Sequence, residues 1–321
     1  MRNIVDPAMF TQEFMQNALL TGTIVAVLAG LVGVFVVLRG VSFAAHSLAQ
    51  VGFAGAAGAV LIGVDPLWGL VVFATLGAVG IGALGARAHG RDATTALVLV
   101  ASLGVGALFL TLNNTFATAA FSLLFGSVVG ISRAQVWQTA LLALGCLVAL
   151  AILYRPLLLA SVSPESAAAR GVPVRLLSVL FLVVVGVAAA VTVPVVGTLL
   201  IFSLIVGPAG AAVHLTRRPA TTGLVAVGLS LLATWAGMTL AYDTGWPVGF
   251  FIAFIVAALY LAARLLGPRL AARRAPSSIR AQEAVEVRAA AGGVEVQDDE
   301  RLVRGVAVEQ RLGRRDVGDA P

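Results

Sequence analysis

The sequence predicts an all-α, polytopic membrane protein with about nine transmembrane helices. Hydrophobic residues make up 60% of its 321 residues and charged residues only 11%, with a mean hydropathy of +1.01, whereas an ordinary soluble domain carries about 25% charged residues. Apolar stretches near the roughly 20 residues that a helix needs to cross a bilayer recur along most of the chain. The net charge of +6 would suggest a nucleic-acid partner in a soluble chain. Here the arginines lie mainly at the ends of apolar stretches, so we expect them to contact water and lipid phosphates. A nucleic-acid partner is not expected.

Nine stretches are candidates for these spans. They lie near 17–38, 43–63, 67–86, 93–112, 134–154, 174–192, 195–214, 221–241 and 246–266. The sixth and seventh form one apolar tract, 174–214, divided only by Val193, Pro194 and the following Gly197. We expect the break at the proline, because it lacks an N–H and clashes with the preceding turn. Between the fourth and fifth spans, 113–132 is apolar but too short and too rich in Gly and Ser for another crossing. A short re-entrant or interfacial helix is expected there.

The positions of the arginines predict the orientation, because cytoplasmic loops retain arginine and translocated loops do not. Arginines fall at every second connection, whereas the intervening connections hold Asp65, Asp243 and few positive charges. Arg133 is the exception, and its long side chain can reach either surface from the start of its span. The alternation predicts the N-terminus outside and the C-terminus in the cytoplasm.

The composition changes abruptly after about residue 268. We therefore divide the chain into a transmembrane domain, 1–267, and a C-terminal tail, 268–321, which is rich in charge and cannot bury a core. The tail is expected to be disordered in the cytoplasm, or to act as a regulatory or partner-binding segment. The sequence contains no GxxxxGK[ST] loop, HExxH or GxSxG motif. Neither enzymatic activity nor ATP hydrolysis by this chain itself is therefore expected.

The second predicted span carries two polar side chains, His46 and Gln50, within the stretch VSFAAHSLAQVGFAG, 41–55. They are four residues apart and so share one helix face. Gly52, Gly55 and Gly58 leave another face nearly bare, which lets a neighbouring helix approach closely and places this helix inside the bundle. An ionisable residue in the membrane is a functional-site hypothesis by default. The alternative is that both side chains only form hydrogen bonds between helices.

Four segments in order along the chain resemble one family, the permease subunits of ABC-type divalent metal importers for zinc, manganese or iron. The first is 14–55, which includes the stretch quoted above. The others are RDATTALVLVASLGVGALFL (91–110), SPESAAARGVPV (163–174) and VPVVGTLLIFSLIVGPAGAAVHLTRRP (193–219). The resemblance covers essentially residues 14–266 and leaves only the tail outside.

The resemblance implies a substrate pathway on the second span. The family's Gly-Asp-x-Leu-x-His motif falls on 45–50, so the pathway residues would be His46, Ser47 and Gln50, with His46 as a transient metal ligand. Both metal-binding positions differ from the family, because His46 stands where Asp is usual and Gln50 where His is usual. A neutral imidazole remains a good zinc ligand, whereas a carboxamide is a weak one. Weak coordination suits a conduit, since a site that binds too tightly does not release its cargo.

The segment 163–171 predicts a short helix. Ser163 would cap it, Pro164 would be its first residue, Glu165 would lie in its first turn and Gly171 would end it. The resemblance implies that this is the coupling helix, which docks on the ATPase. The residues expected to carry that contact are Ser163, Glu165, Ala168, Arg170 and Gly171. Without the family, the same pattern describes only a capped helix in a loop.

The seventh span contains Pro208, where the family also has proline. The proline is expected to kink this helix, and the kink would serve either gating or packing.

Taken together, these patterns predict the permease of an ABC importer for a divalent metal, zinc or manganese first, in a bacterial plasma membrane. By resemblance it works as a homodimer with a separate ATPase subunit and an extracytoplasmic metal-binding protein. No stably bound cofactor is expected; the transported Zn2+ or Mn2+ is cargo. One alternative keeps this machinery but carries a chelated metal or small organic ligand. Another is a secondary transporter or channel that needs no ATPase.

Overall fold

Helices form every regular element in residues 12–84, 88–112, 123–126, 131–216 and 218–274, which are the residues that the computed structural model describes. The all-α prediction is confirmed for these residues. Apart from a single helical turn at 123–125, the helices are α1 (Glu13–Leu38), α2 (Ser42–Leu61), α3 (Pro66–Leu84), α4 (Ala88–Thr111), α5 (Arg133–Val162), α6 (Pro164–Ala169), α7 (Val174–Val196), α8 (Ile201–Leu215), α9 (Pro219–Thr244) and α10 (Val248–Arg274).

Eight of the helices in the described residues are long and apolar enough to cross a membrane: α1 to α5, α7, α9 and α10. The seventh predicted span corresponds to α8, which is apolar but has only 15 residues. At 1.5 Å per residue it is about 22 Å long, less than the roughly 30 Å of a hydrocarbon core. Each predicted span thus has a helix, but α8 is too short to cross the core by itself.

The break in the long apolar tract lies at Gly197. The expectation of a break at Pro194 is wrong, because α7 continues through this proline to Val196. Buried transmembrane helices tolerate proline where neighbouring groups accommodate the freed carbonyl. Gly197 has a φ of +88°, a backbone conformation that residues with a Cβ rarely adopt. A Cβ here would also overlap the carbonyl oxygen of Leu124, so the close approach requires glycine.

Residues 123–126 pack against this break. The backbone N–H of Thr198 donates to the carbonyl of Leu123 at 3.0 Å, and that of Leu199 to the carbonyl of Leu124 at 3.3 Å. The carbonyls of Leu123 and Leu124 thus supply the acceptors that a continued helix would have given these two N–H groups. Most of the predicted re-entrant segment lies outside the described residues, as does the tail beyond 274, and both stay predictions.

Helix α2 lies in the bundle interior and packs against α3, α4 and α7. Its contact with α3 is closest at Gly55 and Gly69, where a Cβ on either residue would overlap the other's carbonyl oxygen. Gly58 lies against the ring of Phe109 in α4. The predicted small-residue face is therefore confirmed. Such close approach matters in a membrane, where van der Waals packing replaces the hydrophobic effect between helices.

Polar contacts mark the two ends of the bundle. Where α1 begins, Arg133 Nε lies 2.7 Å from Glu13 Oε1, and both side chains are exposed. Where α1 ends, Arg39 Nη2 donates to Ser178 Oγ at 2.8 Å. Arg133 thus lies at the same end as the start of α1, and its carboxylate partner offsets the charge that interrupts the arginine alternation.

Candidate substrate pathway

His46 lies on α2 at the wall of an open groove of about 520 Å³. The groove is lined by Ser42, Phe43, His46, Leu199 and Phe202. The imidazole is partly buried and meets the ring of Phe202 edge to face, with 5.8 Å between centroids. Its Nδ1 is buried and has no hydrogen-bond partner among the described residues. A ring nitrogen is therefore left for a ligand.

Gln50 lies one turn further along α2 and is only 4% exposed. Its Nε2 donates to the backbone carbonyl of Thr198 at 3.3 Å, which joins α2 to the break between α7 and α8. The Oε1 of Gln50 and the hydroxyl of Thr198 are both buried without a partner in the described residues. Gln50 therefore fits the helix-linking alternative in part, whereas Nδ1 of His46 forms no hydrogen bond to another helix within the described part of the chain.

Three buried polar atoms in this region thus lack hydrogen-bond partners among the described residues: Nδ1 of His46, Oε1 of Gln50 and Oγ1 of Thr198. A buried polar atom without a hydrogen bond costs about 1–3 kcal/mol, so a group of them in a native fold calls for an explanation. A passing ligand that accepts or donates at these atoms supplies one. Within the described residues, no three His, Cys, Asp or Glu side chains are grouped to hold a metal ion.

Ser47 does not reach this groove. It is fully buried, and its hydroxyl donates to the carbonyl of Phe43 on its own helix at 3.0 Å. The structure thus brings together His46, Phe202 and the Gln50–Thr198 contact, and leaves Ser47 apart.

Thr198 and Phe202 are the site residues that sequence reasoning did not identify. Gly197 was a usable signal for the first, because a glycine inside an apolar tract marks a place where another backbone can approach. Phe202 reads as an ordinary core residue, and only the fold brings its ring to His46.

The predicted helix at 163–171 is present as α6. Ser163 Oγ accepts the backbone N–H of Ser166 at 3.2 Å, which is the predicted cap. At the other end, Val172 N–H bonds to the Ala167 carbonyl and Gly171 N–H to the Ala168 carbonyl, at 3.1 and 2.9 Å. This is a Schellman motif. With its φ of +76°, Gly171 ends the helix as predicted.

One side of α6 is anchored and the other is open. Ala167 is fully buried, and α6 packs against α5 and α7. Glu165, Ala168 and Arg170 are exposed. The residues expected to contact an ATPase are therefore available to a partner.

Pro208 is buried within α8. Since proline has no N–H, the carbonyl of Leu204 lacks its helical donor there. Whether this position has a role in gating stays a prediction.

Comparison with known proteins identifies one family and several relatives. Residues 11–267 match the ABC 3 transport family. The manganese import system permease protein ScaB of Streptococcus parasanguinis is 27% identical over 80% of this chain and 92% of its own length. The probable metal transport system membrane protein of Treponema pallidum is 30% identical over 77% of this chain and 93% of its own.

A solved structure has the same fold. "PsaBC from Streptococcus pneumoniae in complex with Fab" aligns with a TM-score of 0.74 over 82% of this chain and 95% of that chain, at 24% identity. The family match spans all the described transmembrane helices and the groove beside His46, and only the tail and the first ten residues lie outside it. The chain therefore belongs to the ABC 3 transport family and is the membrane-spanning permease of an ABC transporter.

Proposed function

We propose that this permease imports a divalent metal ion, zinc or manganese first, and that His46 is a transient ligand on the path. The observation that carries the proposal is the unpartnered, buried Nδ1 of His46 beside an open groove. Imidazole binds zinc well and manganese less strongly. One relative is named as a manganese import system permease protein and another as a manganese transport system membrane protein, and both names support a metal cargo.

The groove beside His46 would be completed by a second copy of the chain. Phe43, Leu199 and Phe202 flank the imidazole and are 43%, 44% and 41% exposed. Two copies that face each other here would cover these apolar side chains and bring two imidazoles to one path. By the same proposal, an external metal-binding protein delivers the ion, a separate ATPase subunit binds α6, and the N-terminus lies outside.

The fold offers a direct mechanical connection between α6 and the site. Helix α7 begins three residues after Gly171 and ends at Val196, two residues before Thr198, whose carbonyl accepts the hydrogen bond from Gln50. Its 23 residues span about 35 Å, roughly the thickness of the membrane core. ATP-driven closure of the ATPases would displace α6, and α7 would carry that displacement to the far end. There it would change the contact between Gln50 and Thr198 and open the path.

Replacement of His46 tests the proposed ligand. His46→Ala removes the imidazole from a partly exposed position, so the protein should still fold. Metal uptake into proteoliposomes that contain the full transporter should fall about tenfold. This is the loss expected when one weak ligand that contributes roughly 1.4 kcal/mol is removed. His214→Ala is the matched control, because His214 is exposed near the end of α8 and packs edge-on against Tyr260 instead of lining the groove. Unchanged uptake by a well-folded His46→Ala transporter would overturn the assignment of this ligand.

A second candidate cargo is a chelated metal or a small organic ligand. The neutral side chains at 46 and 50, together with a groove of about 520 Å³, favour it, because this space exceeds what a bare ion needs. The same machinery would then be specific for a larger, less charged cargo.

The double variant His46→Asp/Gln50→His separates the two cargoes. It restores the family's usual pair, and a carboxylate suits manganese better than an imidazole does. If the cargo is a bare ion, manganese uptake relative to zinc should rise by about tenfold. If neither metal is transported before or after the change, the cargo is the larger ligand.

A further inference from the structure

A second cavity, of about 400 Å³, is formed by α1, α5 and α9, whereas the His46 groove is formed by other parts of the chain. Helix α1 forms its floor and packs against both α5 and α9, whereas these two do not contact each other along their described residues. Its lining is almost wholly apolar and includes Leu31 and Leu38 of α1, Leu147 and Tyr154 of α5, and Pro219 and Gly223 of α9.

The cavity extends from one end of the bundle into the membrane. Leu38 lies seven positions after Leu31, and Tyr154 lies seven positions after Leu147, so the apolar length of the cavity is about 10 Å. The cavity is therefore long enough to take part of an acyl chain.

Two arginines follow or precede residues that line one end of the cavity. Arg155 follows Ala151 of the cavity wall by four residues and thus lies on the same face of α5, one turn further on. Arg218 directly precedes Pro219, caps α9 and is exposed, as Arg155 is. The start of α9 adds the partial positive charge of a helix N-terminus.

The spacing of two arginines along α5 indicates where this end of the cavity lies relative to the bilayer. Arg133 and Arg155 are 22 residues apart on one helix, which corresponds to about 33 Å and matches a hydrocarbon core of roughly 30 Å. Arg155 therefore lies at the level of lipid headgroups, and the apolar cavity beneath it lies at the level of acyl chains.

We propose that this cavity is a binding site for one anionic phospholipid. An acyl chain occupies the space between α5 and α9, and Arg155 and Arg218 bind the phosphate and the headgroup. The apolar lining matches an acyl chain, and the two arginines match a headgroup with net negative charge. In a zwitterionic lipid such as phosphatidylcholine, the choline cation offsets the charge of the phosphate.

Native mass spectrometry of the complete transporter tests this site. Protein in detergent is titrated with phosphatidylglycerol or with phosphatidylcholine of the same acyl chains. One phosphatidylglycerol per permease should be retained in preference to phosphatidylcholine. In Arg155→Gln/Arg218→Gln the affinity for phosphatidylglycerol should fall about fivefold for each arginine lost, the effect of roughly 1 kcal/mol for a basic residue near the membrane surface. Arg264→Gln, an exposed arginine on α10, is the control and should keep the preference.

A variant that fills the cavity tests the position of the acyl chain. Ala151→Trp should abolish retention of either lipid, and Gly223→Leu serves if the tryptophan prevents folding, because a Cβ on Gly223 has only ordinary contact with Leu31. Equal retention of the two lipids by the unmodified protein would overturn the proposal. So would retention of phosphatidylglycerol by the filled variants. Dissociation of the dimer by Ala151→Trp, with lipid retention unchanged, would assign the cavity to a second copy instead.

Discussion

Gly197→Ala is expected to reduce transport more than any substitution on α2. The methyl group would meet the carbonyl oxygen of Leu124 and the N–H of Gly126, and the φ of +88° would strain the backbone. Overpacking and strain of this kind each cost about 1–3 kcal/mol. The segment 123–126 or the Thr198 carbonyl must then move, and the contact with Gln50 is lost. Uptake by proteoliposomes should fall at least tenfold, with a lower unfolding temperature.

Gly63→Ala is the matched control for strain alone. Gly63 has a φ of +74°, but no atom outside its immediate neighbours lies within 4 Å of a Cβ placed there. It should lose about 1 kcal/mol of stability and keep transport. If Gly197→Ala transports as well as Gly63→Ala does, the Gln50–Thr198 contact has no part in the pathway.

Charge reversal on α6 is expected to have the second-largest effect. Glu165→Arg and Arg170→Glu each change an exposed side chain of the helix whose opposite side is anchored by Ala167. If this surface binds the ATPase, a reversed charge costs about 2–5 kcal/mol at the interface. Copurification of the ATPase and ATP-dependent uptake should both fall about thirtyfold or more. The unfolding temperature of the isolated permease should change little.

Arg264→Glu is the control for this pair, because it reverses an exposed arginine of α10 outside α6. An ATPase that copurifies normally with both α6 variants, and that still drives uptake, would contradict the coupling role. Uptake that continues without any ATPase would support the secondary-transporter alternative instead.

The sequence was informative wherever one local pattern decided the structure. Ser163 begins α6 and Gly171 ends it, as predicted, because helix capping depends on a few adjacent residues. The glycines of α2 predicted a close helix contact, because small side chains alone permit it. The apolar stretches likewise predicted the helices, although α8 is shorter than its predicted span.

Predictions failed where a distant segment decides the outcome. Pro194 was expected to break the tract, but the break lies at Gly197, where residues 123–126 supply hydrogen bonds to the unwound backbone. Gly197 marks a place where another backbone can approach, but no local pattern identifies residues 123–126 as the segment that does so. Ser47 is on the predicted helix, yet its hydroxyl turns to Phe43 of the same helix, and Phe202 reaches His46 only through the fold.

The most direct test of the proposed function is the ATPase activity of the reconstituted transporter, measured with its external binding protein loaded in turn with zinc, manganese and iron. We expect one metal to stimulate hydrolysis, and we expect His46→Ala to weaken that stimulation while His214→Ala leaves it unchanged. A transporter that hydrolyses ATP but responds to none of the three metals would contradict the proposal of a divalent metal cargo.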